Sequence, residues 1–295
     1  MIPRRALLAG CAGLAASALL RPASAAAVTA VDTHAHVFKR GLALTEGRRY
    51  APDYDATPED YIRVLDANGI SNAVLVQPSF LGTDNGYMLD ALKRYPDRFR
   101  GIAVVDPAIS ADDLKALDAA GVVGVRLNLI GQPDPPLASE AWRAHLKRLA
   151  DLRWQVEVQA EARRWPDLLG PLRDGGVAVV ADHFGKPDPK LGVDDPGFRR
   201  LLEIGRGGGV YVKLSGPYRN GADGAATARA AIPLLRDALG LDHLLWGSDW
   251  PHTQFESKVQ YADMRANLDA WLPDPADRRV VLVDAPVRLF RFGGT

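Results

Sequence analysis

The sequence predicts an α/β fold, a single-domain (β/α)8 or TIM barrel. Three observations predict it: strand-like apolar runs alternate with helical patterns across residues 27–295, these runs number eight, and polar residues end most of them. A doubly wound open sheet would show the same alternation. The count of eight and the polar strand ends favour the closed barrel.

The predicted elements follow one another without a linker. The strands are expected to begin at Val31, Asn72, Arg100, Gly124, Gln155, Val177, Val210 and His243. Hydroxyl side chains that can cap a helix precede three of the helical patterns, at Thr57, Ser110 and Ser139. Gly69 is expected to end the first helix, and later helices are predicted over residues 197–204, 225–238 and 258–272. Residues 39–55 form a long loop that could act as a lid.

The overall composition limits the function classes. The 295 residues are 47% hydrophobic and 24% charged, and the formal net charge is zero. These values suit one large globular domain. Because there is no basic excess, nothing indicates nucleic-acid binding.

Residues 1–26 have the composition of an export signal. The pair Arg4 and Arg5 precedes an Ala/Leu-rich run, and Ala-Ser-Ala offers a small-residue cleavage pattern. The paired arginines are typical of a twin-arginine signal, which predicts a periplasmic or secreted protein. A membrane anchor is the alternative, but the apolar run of about 15 residues is shorter than the roughly 20 that span a bilayer. No later segment is long and apolar enough to span.

The single cysteine, Cys11, lies within this N-terminal stretch. Its surroundings also resemble a lipoprotein cleavage box, although the apolar run before it is short. After cleavage near residue 26 the chain would contain no cysteine, so neither a disulfide nor a cysteine nucleophile is expected.

Side-chain alternation along the strands predicts a polar barrel interior. Alternate residues of a strand share a face. The residues expected to point inward are Asp32, His34 and His36; Leu75, Gln77 and Ser79; Arg126 and Asn128; Glu157 and Gln159; and Lys213 and Ser215. Because a buried charge requires a partner, we expect Lys213 to pair with Glu157 or Asp32. Barrel interiors are usually apolar, so this polarity predicts a ligand-filled mouth.

Four residues carry the functional prediction. His34, His36, His183 and Asp249 each follow or end a strand-like run, and the carboxyl ends of barrel strands hold the active sites of such enzymes. Imidazoles and a carboxylate gathered there can hold a metal or perform acid/base chemistry. The other histidines are weaker candidates: His145 and His243 are expected to be structural, and His252 is a lesser candidate.

The motifs DTHAH, DHFGKP and WGSDWPH resemble the amidohydrolase superfamily, and specifically its amidohydrolase-2 branch. The resemblance extends over residues 30–292, and the segment QPSFLGTDN is similar to lactonases and lactone isomerases of sugar-acid and aromatic-acid breakdown. It implies a barrel hydrolase that opens a carboxylated lactone.

The resemblance also bears on metal content. Binuclear amidohydrolases carry a bridging Lys or Glu on strand 4 and a His on strand 5, where this chain has Arg126, Asn128 and Gln159. A two-metal site is therefore not expected. Two alternatives stay open: one Zn²⁺ or Mn²⁺ held by His34, His36, His183 and Asp249, or catalysis without a metal.

The expected mechanism assigns Asp249 as the base that activates water, with the three histidines polarising the lactone carbonyl directly or through a metal. Arg126 is expected to bind a substrate carboxylate, unless it pairs with Glu157 or Glu161. Further expected substrate contacts are Tyr50, Ser79, Thr83, Asn85 and Arg219. The resemblance implies more than one arginine for a substrate with two carboxylates. The stretch IGQPDPP after strand 4 lacks an arginine, so a substrate with fewer carboxylates is an equal alternative.

Three other functions remain alternatives at this stage. A lactone isomerase would use an internal hydroxyl in place of water. A decarboxylase on the same barrel would require a bound metal. An exported protein that binds organic acids without catalysis would not need all four inward groups.

Overall fold

The computed structural model describes residues 27–293, so the predicted signal at residues 1–26 lies outside the described residues. Eight parallel strands form one sheet in sequence order. They are β1 Val31–Ala35, β2 Asn72–Val76, β3 Phe99–Ala103, β4 Val122–Asn128, β5 Gln155–Gln159, β6 Val179–Ala181, β7 Val210–Leu214 and β8 Leu244–Trp246. The predicted barrel is confirmed, and each predicted strand start lies within about two residues of the observed one.

The seam between β1 and the chain after β8 closes the barrel. Ala35 and Trp250 form a parallel bridge. The amide of Asp249 donates to the carbonyl of His34 at 2.8 Å, and the amide of His36 donates to the carbonyl of Trp250 at 2.8 Å. These bonds attach two predicted functional segments directly to each other.

Helices follow the strands and cover the outside of the sheet. They are α1 Pro58–Ala67, α2 Gly86–Arg94, α3 Ala111–Ala119, α4 Glu140–Asp151, α5 Trp165–Asp174, α6 Pro196–Gly205, α7 Gly224–Leu239, α8 Tyr261–Trp271, α9 Pro275–Arg279 and α10 Ala285–Phe290. The predicted caps are confirmed, because Thr57, Ser110 and Ser139 accept hydrogen bonds from the amides of Asp60, Asp113 and Trp142. Helix α8 begins at Tyr261, three residues later than expected, after a turn-rich segment.

Across residues 27–293 no helix combines the length and apolarity needed to cross a bilayer.

An apolar plug fills the lower part of the barrel. It is formed by one or two side chains from most strands and by the C-terminal segment: Val31, Val74, Val76, Ile102, Val123, Val180, Leu245, Phe290 and Phe292. A second, larger core lies between the strands and the helices. The polar groups of the interior therefore lie above this plug, toward the carboxyl ends of the strands.

Two of the predicted strand faces are wrong. On β1, Val31 belongs to the plug, and the Asp32 carboxylate turns outward to the hydroxyls of Tyr61 (2.8 Å) on α1 and Tyr261 (3.0 Å) on α8. The cause is a shift of the pairing register between Asp32 and Ala35, which reverses the alternation. His34 and His36 still point inward.

On β2 the inward side chains are Val74 and Val76. Leu75 packs in the outer core, and the Gln77 amide donates to the carbonyls of Gly82 (3.2 Å) and Asp84 (2.7 Å). Gln77, directly after this strand, thus holds the following loop. Simple alternation failed here because the apolar plug, and not a polar lining, occupies this part of the interior.

The alternation on β5 and β7 is confirmed. The Lys213 ammonium donates to Glu157 at 2.7 Å with both side chains fully buried. Of the two partners expected for Lys213, the structure selects Glu157. The pair crosses the barrel interior between β5 and β7.

The long loop at residues 39–55 packs on the barrel mouth, as a lid would. Tyr50 of the loop contacts Phe80, and Tyr54 contacts Phe38, which itself contacts Phe80, with ring centroids 5.1–5.5 Å apart. The amide of Thr45 donates to the carbonyl of Phe80 at 2.9 Å. An aromatic cluster and a main-chain bond therefore attach the loop to the segment after β2.

Candidate active site

The structure brings the four predicted residues together at the carboxyl end of the barrel. His34 and His36 lie at the end of β1, His183 follows β6 and Asp249 follows β8. The His34 ring lies 5.0 Å from that of His36 and 4.8 Å from that of His183, centroid to centroid. Asp249 Oδ1 is 3.8 Å from the Nε2 atoms of both His34 and His36. All four residues are buried.

Two of these residues adopt left-handed backbone conformations. His183 has a φ of 52° and Asp249 a φ of 63°. Such conformations cost about 1–3 kcal/mol for a non-glycine residue and cluster at functional sites. The neighbouring Gly216 makes room for both side chains, since a Cβ there would lie 2.9 Å from His183 Nδ1 and 3.0 Å from Asp249 Oδ2.

The two oxygens of Asp249 have different surroundings. Oδ2 accepts hydrogen bonds from the Tyr218 hydroxyl at 2.6 Å and from Arg219 Nε. Oδ1 has no hydrogen-bond partner among residues 27–293. Burial alone would raise the pKa of Asp249, but Arg219 and the three histidines hold it well below its usual value. The carboxylate is therefore ionised, with one oxygen free to accept a proton.

The histidines are neutral at ordinary pH. Burial lowers the pKa of His36 to about 3 and that of His183 to about 4. Burial also lowers the pKa of His34 well below its usual value, with the Lys213 charge acting in the same direction. Each ring therefore carries one proton, and the hydrogen-bond partner decides which nitrogen holds it.

The Nδ1 atoms of His36 and His183 each have one hydrogen-bond partner, and the partner of His36 fixes its proton position. His36 Nδ1 donates to the carbonyl of Val76 at 2.7 Å, because a carbonyl can only accept. His36 Nε2 therefore presents a lone pair toward Asp249 Oδ1. His183 Nδ1 lies 2.9 Å from Ser215 Oγ, a hydroxyl that can donate or accept.

Asp182 is a site residue that the sequence reasoning missed. It is fully buried, and its carboxylate lies 3.3 Å from His34 Nδ1, 3.6 Å from Arg126 Nη2 and 3.6 Å from Lys213 Nζ. Burial would raise its pKa, but His34, Lys213 and Arg126 lower it well below the usual value. Its position in the DHFGKP motif, directly before His183, could have indicated that Asp182 belongs to the site. Tyr218, in SGPYR, was missed as well.

The two predicted arginines flank the cluster. Arg126 Nη1 donates to the carbonyl of Gln77 at 3.1 Å and Nη2 donates to Gln159 Oε1 at 2.6 Å, while Nε lacks a hydrogen-bond partner within the described chain. The ion pair of Arg126 is with Asp182, so the expected alternative partners Glu157 and Glu161 are wrong. Arg219 is held by Asp249 and stacks near Tyr218.

The other predicted substrate contacts lie in four different settings. Tyr50 of the lid packs against Phe80, and Thr83 is exposed. Ser79 lines a cavity of about 260 Å³ together with Arg49 and Asn128. The Asn85 amide is bonded to the main chain of Val104 at 2.9 and 3.0 Å, so its side chain joins two loops and does not face the cluster.

A single divalent metal fits part of the cluster. The ligand atoms of His34, His36 and Asp249 lie within 4.8 Å of one another, and His34 Nε2 and Asp249 Oδ1 lack hydrogen-bond partners among residues 27–293. Three protein ligands with one open position are typical of catalytic zinc. His183 belongs to a second group, with His34 and Asp182, so the expected set of four ligands is divided between two groups that share His34 and stays a prediction.

Fold and site together define a barrel enzyme that performs its chemistry at the carboxyl mouth. Residues 31–292 match the family described as amidohydrolase, and the chain belongs to this family. It is 31% identical over 271 residues to 4-sulfomuconolactone hydrolase of Hydrogenophaga intermedia, with 88% of each chain covered. It is 31% identical over 274 residues to a 2-pyrone-4,6-dicarboxylate hydrolase of Comamonas testosteroni, with 88% of this chain and 90% of that relative covered.

A solved structure is also closely similar. It is described as a "probable 2-pyrone-4,6-dicarboxylic acid hydrolase" of Acinetobacter baumannii with citric acid bound. It superposes with a TM-score of 0.87 at 41% identity, covering 89% of this chain and 99% of that chain.

Proposed function

We propose that this protein is a hydrolase that opens the ring of a small carboxylated lactone with a water activated by Asp249. The observation that carries the proposal is the pair of acceptors Asp249 Oδ1 and His36 Nε2, buried and 3.8 Å apart. A water has two protons to donate and can bridge two such acceptors. The names of the similar hydrolases, which act on a muconolactone and a pyrone, support a cyclic ester as substrate.

The reaction begins with attack of this water on the lactone carbonyl carbon. Asp249 Oδ1 takes the proton as the new carbon–oxygen bond forms. When the tetrahedral intermediate collapses, the bond to the ring oxygen breaks and Asp249 returns the proton to that oxygen. The product is an open-chain acid with a free hydroxyl or its keto form.

Donors that face the carbonyl oxygen would stabilise the developing negative charge. Such a donor contributes about 2.7–4 kcal/mol. His34 and His183 are placed for this role. The sequence reasoning gave His36 the same role, but its Nδ1–H is used by the Val76 carbonyl, so at neutral pH its Nε2 accepts and orients the water.

Cationic side chains at the mouth suit the acidic groups of the substrate. Arg126 has an unpartnered Nε, and Arg219 adjoins the base. Arg49 from the lid reaches Asn128 Oδ1 at 3.4 Å and thereby brings a further cation to the mouth. It could take the place of the arginine that the segment after β4 lacks, which supports a substrate with two anionic groups.

The protein would work either without a metal or with one Zn²⁺ or Mn²⁺. His34, His36 and Asp249 would hold the ion, with His36 already in the tautomer that a metal ligand requires. A bound ion would supply Lewis-acid polarisation of the carbonyl. The roles of Arg126 and Arg219 toward substrate anions are the same in both cases.

We also propose that residues 1–26 direct export by the twin-arginine route, on the sequence pattern alone. The expected location of the enzyme is periplasmic or extracellular.

The Asp249→Asn variant tests the base. The amide keeps the size of the side chain but accepts a proton poorly, so kcat on 4-sulfomuconolactone or 2-pyrone-4,6-dicarboxylate should fall by about 10²–10⁴-fold. Asp112→Asn is the matched control, because its side chain is 93% exposed and remote from the cluster. Wild-type rates in Asp249→Asn on a substrate that the protein turns over would disprove the assignment.

A further inference from the structure

Lys213 is a buried cation that the proposed mechanism does not use. Its side chain is fully buried, and Nζ donates to Glu157 Oε2 at 2.7 Å and lies 3.6 Å from Asp182 Oδ1. The Lys213 side chain thus lies between two buried carboxylates. The third short contact of Nζ is with a catalytic ring, at 3.1 Å from His34 Nδ1.

We infer that Lys213 sets the tautomer of His34 and places its single ring proton on Nε2. An ammonium group has three donors and no acceptor. The nitrogen that faces it must therefore offer a lone pair, which leaves the proton on the opposite nitrogen. His34 Nε2 is the atom that lies 3.8 Å from Asp249 Oδ1.

Asp182 is the competing partner. Its Oδ1 lies 3.3 Å from the same His34 Nδ1 and would favour the opposite tautomer, in which Nδ1 donates. Within residues 27–293, however, Asp182 Oδ1 makes no contact with hydrogen-bond geometry, whereas the Lys213 contact has that geometry. Arg126 and Lys213 already balance the Asp182 charge. Lys213 therefore decides the proton position.

This inference deepens the proposed function and rests on it for its catalytic meaning. With the proton on Nε2, His34 is a ready donor for the carbonyl oxygen of a lactone. The same proton blocks the lone pair that a metal would need, so Lys213 weakens metal binding by His34, His36 and Asp249. Lys213 is thus a positioning residue, which acts through His34 and does not touch the substrate.

The test reads the proton position directly. Protein with ¹⁵N-labelled histidine is studied by long-range ¹H–¹⁵N correlation as wild type, as Glu157→Gln and as the double variant Lys213→Met with Glu157→Gln. The double variant removes both charges, so no buried ion is left alone, and Glu157→Gln is the matched control that keeps Lys213. The His34 signals are assigned by their loss in His34→Gln.

We expect His34 to carry Nε2–H in the wild type and in Glu157→Gln, and to switch to Nδ1–H facing Asp182 in the double variant. His36 serves as the internal control for a folded site and should keep Nδ1–H in all three proteins. An Nδ1–H tautomer of His34 in the wild type, or an unchanged Nε2–H in the double variant, would overturn the inference.

Zinc affinity gives a second readout. Titration calorimetry should show at least a tenfold tighter Zn²⁺ affinity for the double variant than for Glu157→Gln, and equal affinities would contradict the inference. Both measurements are made without substrate. They can therefore fail while the lactonase activity stands, and succeed where no lactone is turned over.

Discussion

At the scale of single residues, the chemistry depends on the two different oxygens of Asp249. Arg219 and Tyr218 occupy Oδ2 and keep the carboxylate ionised, while Oδ1 faces His34 and His36. This arrangement keeps Asp249 in the ionised form that a base requires. It also lowers the basicity of Asp249, because a strongly stabilised carboxylate is a weaker base. The pH dependence of the reaction should reflect this balance.

The first prediction concerns that pH dependence. The required forms are neutral histidines and an ionised Asp249, which are the deprotonated forms. Because the pKa of His36 is lowered to about 3 and that of His183 to about 4, these forms persist at low pH. A plot of kcat/KM against pH should therefore lack an acidic limb between pH 5 and 8. An inflection near the usual histidine pKa would contradict the assignment.

The Arg219→Gln variant extends this test. Without the guanidinium, burial would raise the pKa of Asp249 and an acidic limb should move upward into the measurable range. Arg219→Lys keeps the charge, so its limb should move less. A wild-type profile in Arg219→Gln would show that Arg219 does not control the protonation of the base.

The sequence could predict the four central residues because motif position and strand ends agree for each of them. It could not predict the surroundings of Asp182, where the His34 ring from β1 and the cations Arg126 from β4 and Lys213 from β7 converge only after the barrel closes. Asp32 was misplaced for a local reason, since a single register shift on β1 reverses its face. Asn85 gave no sign in sequence that its amide would be used by Val104.

At the scale of elements, the lid of residues 39–55 packs on the barrel mouth through an aromatic cluster. Phe80, after β2, is 3% exposed and contacts both Phe38 and Tyr50. The Tyr54 hydroxyl bonded to Glu256 at 2.7 Å and Arg49 bonded to Asn128 at 3.4 Å attach the lid as well. The aromatic cluster around Phe80 supplies apolar contacts between the lid and the barrel.

Phe80→Ala should release the lid. Removing a buried phenylalanine costs about 3–5 kcal/mol, and here the loss falls mainly on the contacts of residues 39–55. We expect faster tryptic cleavage after Arg48 or Arg49 and a raised KM. Leu191→Ala is the control, since Leu191 is 52% exposed and far along the chain. Equal cleavage rates in both variants would refute the role of Phe80.

The order and number of elements could be predicted, because eight apolar runs separated by capped helices leave few arrangements open. The side-chain faces of β1 and β2 could not. A register shift, or a plug of valines in place of polar groups, changes the face without changing the strand. Alternation is reliable only where a strand is regular, as on β5 and β7.

At the scale of the whole molecule, the apolar packing that stabilises the barrel and the polar groups of the site lie in different parts of the barrel. The apolar plug and the outer core stabilise the lower part, and the buried charges gather at the upper mouth. Because the β1–β8 seam runs through His34 and Asp249, barrel closure itself completes the site.

The proposed export is tested on the full chain. The expected result is that the protein accumulates outside the cytoplasm, and that exchanging Arg4 and Arg5 for lysines keeps it inside, since twin-arginine signals depend on that pair. Cell fractionation with an antibody against the barrel checks this. Unchanged export of the double-lysine variant would show that another route is used.

Labelled water shows whether a water held by Asp249 opens the lactone at the barrel mouth. Residues 27–295, treated with a chelator, are incubated with 2-pyrone-4,6-dicarboxylate or 4-sulfomuconolactone in H₂¹⁸O and the product is analysed by mass spectrometry. We expect ring opening with one ¹⁸O in the newly formed carboxylate. Turnover to a product without ¹⁸O would contradict it and would indicate attack by an internal hydroxyl instead.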